Sequence, residues 1–267
     1  MTPTAGSAAR KTRNSPALRL LARLGYAVNG LLHALIGAIA IQIALGSGGE
    51  ADQSGALSAV AATRGGVFIL WTVFVGLAAL GLWLIVNAFL TAPTNRKKRR
   101  WHFLSELGKG IAYLAVAATT FTFARGGSTN SASTSTDLSA RILSLPGGVI
   151  LVALIGVVII AVGVYFVVKG TTRRFKRDLS LPRGQAGRAT VAIGVFGYVA
   201  KGVVLAVVGI LFCVAAATLD PSTSSGLDGG LKALGALPFG KLILVVVGLG
   251  LIAYAIYSAV RARYARL

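Results

Sequence analysis

The sequence predicts an all-α integral membrane fold, with six transmembrane helices arranged as three tandem helical hairpins with pseudo-threefold symmetry. Three observations predict it. First, one unit recurs. Gly25-Tyr26-x-x-Asn29-Gly30-x6-Gly37 returns as Ser105-Glu106-x-x-Lys109-Gly110-x6-Ala117 and again as Gly197-Tyr198-x-x-Lys201-Gly202-x6-Gly209. Each copy leads into a second apolar segment, which opens Leu145-Pro146-x-Gly148 in copy two and Leu237-Pro238-x-Gly240 in copy three. Second, 55% hydrophobic and 13% charged residues with a mean hydropathy of +0.77 exclude an ordinary soluble domain. Third, residues 24–49, 65–95, 110–124, 142–168, 202–219 and 242–260 carry no Lys, Arg, Asp or Glu. About 20 mostly apolar residues cross about 30 Å of hydrocarbon. The runs therefore place spans near 25–45, 67–89, 104–124, 149–168, 192–215 and 241–260.

The order of elements follows. A basic segment (1–20) precedes repeat one (21–95), repeat two (96–175) and repeat three (176–267), the last ending in a basic tail. Twenty of the 27 Lys and Arg residues lie before span one, between spans two and three, between spans four and five, or after span six. Cations concentrate in cytoplasmic loops, so both termini are expected in the cytoplasm of a bacterial plasma membrane protein. A net charge of +20 suggests nucleic acid in a soluble protein. Here its placement suggests anionic lipid headgroups at the inner face, and no nucleic-acid partner. The basic stretch before span one has the outline of a secretory signal, but the long apolar run and five further spans predict an uncleaved anchor. Residues 16–24 alternate basic and apolar side chains at helical spacing, predicting a segment that lies in the inner interface before the chain turns into the membrane.

The opposite loops differ. Residues 126–136, a Gly/Ser/Thr tract, read as low-complexity and mobile. The stretches 56–63, 138–145 and 227–237 suit short helices lying on the outer interface. Trp83, Tyr165 and Tyr257 fall at equivalent places near the inner helix ends, followed one turn later by Asn87, Lys169 and Arg261. That order is expected of interfacial anchors. In the first helix of each repeat, small residues share a face with the polar ones. Small residues permit close approach of backbones, so these helices are expected to face the bundle interior with the second helices outside.

The candidate site is an intramembrane polar layer of Asn29, His33, Glu106, Lys109 and Lys201. Ionisable groups within spans are costly and commonly functional. Lys109 and Lys201 are therefore either snorkelling or paired structurally, or they bind an anion or line a path. Glu106 lies three residues before Lys109, in reach on one helix face. His33 is a titratable group near mid-membrane or an imidazole bonded to a neighbour. Its equivalents, Tyr113 and Leu205, exclude a symmetric proton relay. Two histidines and one cysteine (Cys213), none closely spaced, predict no metal site, no cofactor and no intrachain disulfide. No H-E-x-x-H or G-x-S-x-G occurs, and no enzymatic activity is expected. Two functions remain: a scaffold or lipid- and partner-interacting component, or a small channel or transporter for anions or polar solutes between the first helices.

The Gly-Tyr-x-x-[Asn/Lys]-Gly signature and the Pro-x-Gly start of the second helix resemble a family of actinobacterial membrane proteins catalogued as domain of unknown function 1206. That resemblance covers about residues 20–262 and implies three tandem two-helix repeats. Copy two departs from it at Ser105-Glu106, and copy one at Arg64-Gly65. It implies no catalytic residue.

Overall fold

The computed structural model describes residues 16–90, 96–178 and 184–264. Repeat one comprises α1 (Pro16–Ala44), α2 (Gln53–Ala61) and α3 (Gly66–Leu90). Repeat two comprises α4 (Arg96–Ala124), α5 (Ser131–Leu143) and α6 (Gly148–Thr171). Repeat three comprises α7 (Gln185–Thr218), α8 (Gly226–Gly235) and α9 (Gly240–Tyr264). The six long helices have the length and apolarity to cross a membrane. Part of the expected basic flank, residues 1–15, 91–95, 179–183 and 265–267, lies outside the described residues.

A single turn geometry links each short helix to the long helix after it. Gly65, Gly147 and Phe239 occupy the same repeat position, and all are left-handed, with φ of +80°, +75° and +63°. The residue after each is glycine for a steric reason. A Cβ on Gly66, Gly148 or Gly240 would stand 1.9, 1.7 or 1.8 Å from the carbonyl oxygen of Val60, Ile142 or Gly235. The x-Gly of the signature is thus a backbone requirement. Phe239 adopts the same conformation despite the steric cost to a side chain, about 1–2 kcal/mol.

The described residues form two compact units, one within 1–28 and 60–127, the other within 29–59 and 128–266. In the smaller unit α3 packs on α4: a Cβ on Gly81 or on Gly110 would stand 3.0 Å from the other's carbonyl oxygen. Val73, Leu77 and Ala117 form its core, with Phe74 and Tyr113 against them. In the larger unit α6 packs on α7 through Gly163–Gly202 and Gly156–Gly209, where an added Cβ would meet the facing carbonyl at 2.6–2.7 Å. The same crossing joins α1 to α9 through Gly37–Gly248 and Gly30–Ala255. The contacts are equivalent in the repeat: position 30/110/202 meets position 255/81/163. Backbones approach this closely only where both partners are small, which supplies dispersion contact that apolar lipid does not otherwise favour.

This pairing corrects the expected arrangement. The small faces of the first helices meet second helices of other repeats, and α9 is the most buried span, with 56% of its apolar window buried against 17% for α6. It is covered because it contacts both α1 and α7, where Gly197 lies under Tyr254. Tyr257, expected as an interfacial anchor, is fully buried among Phe175, Tyr198 and Tyr254, whereas Tyr165 is 56% exposed. Residues 16–24 do not lie apart from span one, because α1 is continuous from Pro16. Within the tract 126–136, the residues from Ser131 onward are helical. Asn130 caps α5 by accepting from the Ser133 amide at 2.8 Å, and the Ser135 hydroxyl donates to the Ser224 carbonyl at 2.6 Å. Capping by a short polar side chain, repeated serines notwithstanding, starts a helix there. Two of the short helices bury apolar side chains, α2 with Leu57 and α8 with Leu231 and Leu234, whereas Leu138 of α5 is exposed.

Candidate functional site

The five residues of the expected polar layer separate into two groups. Glu106 and Lys109 belong to the smaller unit. Lys109 Nζ lies 2.8 Å from Glu106 Oε1, with the lysine side chain 55% exposed and the glutamate 12%. The lysine thus bends back one turn toward the basic end of α4, as an i, i+3 pair on one face allows. Asn87 of α3 donates to the other carboxylate oxygen of Glu106 at 3.5 Å.

Asn29, His33 and Lys201 belong to the larger unit, and they converge on Tyr254 of α9. Lys201 Nζ stands 4.4 Å from the centre of the Tyr254 ring and 5.2 Å from that of Phe166. Asn29 donates to Ser258 Oγ at 3.4 Å. His33 Nδ1 donates to the Asn29 carbonyl at 2.7 Å, and its ring lies 4.8 Å from that of Tyr254. A cation over an electron-rich ring gains about 0.5–2 kcal/mol, more as water is removed. The polar groups therefore satisfy one another in an apolar surrounding, as buried polar groups must. Among the described residues, no group of three His, Cys, Asp or Glu side chains is placed to hold a metal ion.

Tyr254 was not among the sequence candidates. Its signal was a departure from the repeat: the equivalent positions are Leu80 and Val162. The partner positions also follow the repeat, because Asn29 meets Ser258 and Lys201 meets Phe166, and 258 and 166 are equivalent.

A second polar cluster lies at the opposite end of the larger unit. Asp228 at the start of α8 accepts from the Ala51 amide at 3.0 Å and pairs with Lys232 at 2.6 Å. Asp52 caps α2, its Oδ1 accepting from the Gly55 amide at 3.0 Å, while its buried Oδ2 has no hydrogen-bond partner. Asn130 donates to Glu50, and Ser54 bonds Ser131 at 2.6 Å. Burial, aided by the neighbouring Asp228, raises the Asp52 carboxyl above its usual range, against the Gly55 and Ser54 amides and Lys232. Burial followed by Asp52 and Asp228 raises Glu50 in the same way. Along the chain Glu50, Asp52 and Asp228 stand in connections between spans, with nothing nearby to mark them as neighbours. Their convergence joins positions more than 170 residues apart, and no local pattern records it.

Comparison with known proteins agrees with the triplication. The chain is 29% identical over 260 residues to Uncharacterized protein YxxB of Bacillus subtilis (strain 168), an alignment that covers 95% of this chain and 94% of that one. No solved structure matches it. Residues 24–91, 106–173 and 196–265 each match one family, and on those three tandem matches the chain belongs to the family described as Domain of Unknown Function (DUF1206).

Proposed function

We propose that this protein is a non-enzymatic component of the bacterial plasma membrane that organises lipid or protein partners, with both termini in the cytoplasm. The orientation is supported by the cation asymmetry, since Lys and Arg gather at one end of the six spans. The observation that carries the functional reading is the consumption of the polar layer by packing. Lys201, Asn29 and His33 are held on Tyr254, Ser258 and backbone, and Lys109 is held by Glu106. Groups that line a transport path exchange their partners for a solute, and transporter sites commonly sit at interrupted helices. Here the six spans are continuous helices. The channel reading rested on Asn29, Lys109 and Lys201 sharing one layer, and it has no further observation in its favour.

Flux through purified protein in liposomes tests the choice. Efflux of chloride, phosphate and small polar solutes should equal that of protein-free vesicles, both for the natural sequence and for Lys109→Ala with Lys201→Ala. Flux that the double substitution abolishes would reverse the reading.

A further inference from the structure

We propose that a groove at the basic end of α7 is a binding site for one anionic phospholipid, its phosphate held by Arg173, Lys176 and Arg188 and its acyl chain laid along Val191, Val195 and Val199. This names the partner class for the lipid-interacting role above and rests on that reading. The groove has a volume of about 850 Å³, within the range of pockets that hold single small ligands. Its lining is divided by chemistry. Among the described residues its charged members are Arg173, Lys176 and Arg188, while Val191, Ala192, Val195, Phe196 and Val199 are apolar.

The cations are presented by a fixed element. Arg173 is left-handed, with φ of +53°, at the point where α6 gives way to the 3-10 turn Arg174–Asp178. Within that turn Phe175 is fully buried, stacked on Tyr198 at 5.2 Å and edge-on to Tyr257 at 5.2 Å. One aromatic side chain thus pins the backbone between Arg173 and Lys176, so that both cations are exposed beside the helix start. Arg188 stands one turn into α7. Gly184 is its N-cap and makes no side-chain cap hydrogen bond, and its first turn carries no acid. The positive end of the helix dipole there favours an anion.

The placement matches a lipid in its bilayer. At 34 residues, α7 is about 51 Å long, well over the thickness of the hydrocarbon. Its basic end, with Arg188 one turn in, is the end that the placement of cations sets at headgroup level. From Arg188 to Val199 the helix descends about 16 Å, so valines at positions 191, 195 and 199 form an apolar track that leads inward from the cations. A soluble anion has no use for that track, and an acidic peptide would need partners beyond three cations. A phospholipid uses both.

Native mass spectrometry of the full chain tests this, with phosphatidylglycerol and phosphatidylcholine of identical acyl chains added to the delipidated protein. The natural sequence should retain one phosphatidylglycerol selectively. Arg173→Gln, Lys176→Gln and Arg188→Gln together should reduce its affinity on the order of 100-fold, at roughly one kcal/mol per cation. Arg99→Gln with Arg100→Gln, cations outside the groove, should leave selectivity intact. Ala192→Phe fills the groove without touching a charge and should also abolish retention, with an unchanged melting curve as the control for folding.

Equal losses from the two charge sets would reduce the site to general surface attraction and overturn it. Selectivity that survives Ala192→Phe, tight binding of inorganic phosphate alone, or equal binding of a poly-glutamate peptide would each overturn it too. Solute flux with selective retention would remove the scaffold reading and leave this site standing. A sealed membrane without selective retention would do the reverse.

Discussion

Lys109 and Lys201 occupy one position of the repeat, yet the two compact units neutralise them differently. In the smaller unit the lysine is mostly exposed and bends to a carboxylate on its own helix. In the larger unit it is half-buried over two rings contributed by other helices. Two neighbouring positions decide the outcome. Where copy two has Glu106, copy three has Tyr198, and where α3 offers Leu84 to its partner helix, α6 offers Phe166. Beside both lysines the backbone contact is the same, Gly110 on Gly81 and Gly202 on Gly163. The repeat thus holds the helix crossing constant and leaves the polar chemistry free to diverge.

The largest effect should come from the part held constant. A Cβ at Gly202 would stand 2.6 Å from the Gly163 carbonyl, which is backbone and cannot turn aside. At Gly110 the nearest atom is the Ile85 side chain at 2.7 Å, with the Gly81 carbonyl at 3.0 Å. Gly202→Val should therefore cost about 3 kcal/mol or more, and Gly110→Val somewhat less. At Gly108 an added Cβ meets nothing within 4 Å, so Gly108→Ala should be neutral or gain up to about 1 kcal/mol from helix propensity. Thermal unfolding in detergent, read with the yield of monodisperse protein, checks the series. Gly202→Val as stable as Gly108→Ala would end the claim that the crossing is what the repeat preserves.

An intermediate effect should come from the lysines, and it sharpens the contrast. Double-mutant cycles isolate each pairing from the burial lost in single changes. Lys201→Met with Tyr254→Leu should show a coupling of about 1–2 kcal/mol, as for a cation over a desolvated ring. Lys109→Met with Glu106→Gln should show less than about 0.5 kcal/mol, as for a pair on one helix whose cation is largely exposed. Equal couplings would mean that the two environments do not differ in energy, whatever their geometry.

Much of this was legible in the sequence, for reasons that also explain what was not. Six spans and a triplicated unit follow from apolar runs and glycine spacing, because bilayer thickness and helix rise are fixed lengths. The glycine two residues after Pro146 and Pro238 is visible as a pattern, and its steric cause appears only when the preceding carbonyl is in place. The Glu106–Lys109 pair is local, and three-residue spacing suffices to predict it. The partners of Lys201 are not local. Tyr254 and Phe166 come from two other helices, and spacing along α7 says nothing of which faces it. The small faces were assigned to packing, but their partners were misplaced. A stripe of glycines shows that a backbone comes close without showing whose, and the facing glycines at 81, 163 and 248 identify it only in the folded chain.

The smallest effect concerns the other end of the larger unit, where charge is buried without a ring or a close cation for every oxygen. Asp52 keeps its cap to Gly55, but its second oxygen is buried without a hydrogen-bond partner, and Glu50, Asp228 and Lys232 are the charged groups around it. Burial raises its carboxyl above the ordinary 3.8. A carboxyl raised in the fold binds a proton more tightly there than in the unfolded chain. Its contribution is therefore most favourable below the ordinary value and is lost as pH rises through the raised one. Glu50 is raised from 4.5 and acts with the same sign. Mild acidification from neutrality toward pH 4 should thus strengthen this end, opposite to the usual effect of acid on ion-paired carboxylates. Asp52→Asn keeps the shape and the capping oxygen while removing the charge. It should raise stability at pH 7 by less than about 1 kcal/mol, a modest gain for a near-isosteric change. The advantage should vanish below about pH 4, where the natural residue is itself neutral. Hydrogen exchange of the α2 and α8 amides at the two pH values reads the effect locally. Protection that falls on acidification, or an Asp52→Asn protein no better protected at pH 7, would place the loop-end carboxyls among ordinary paired charges. That would erase the distinction between a polar layer satisfied by its neighbours and one that is not.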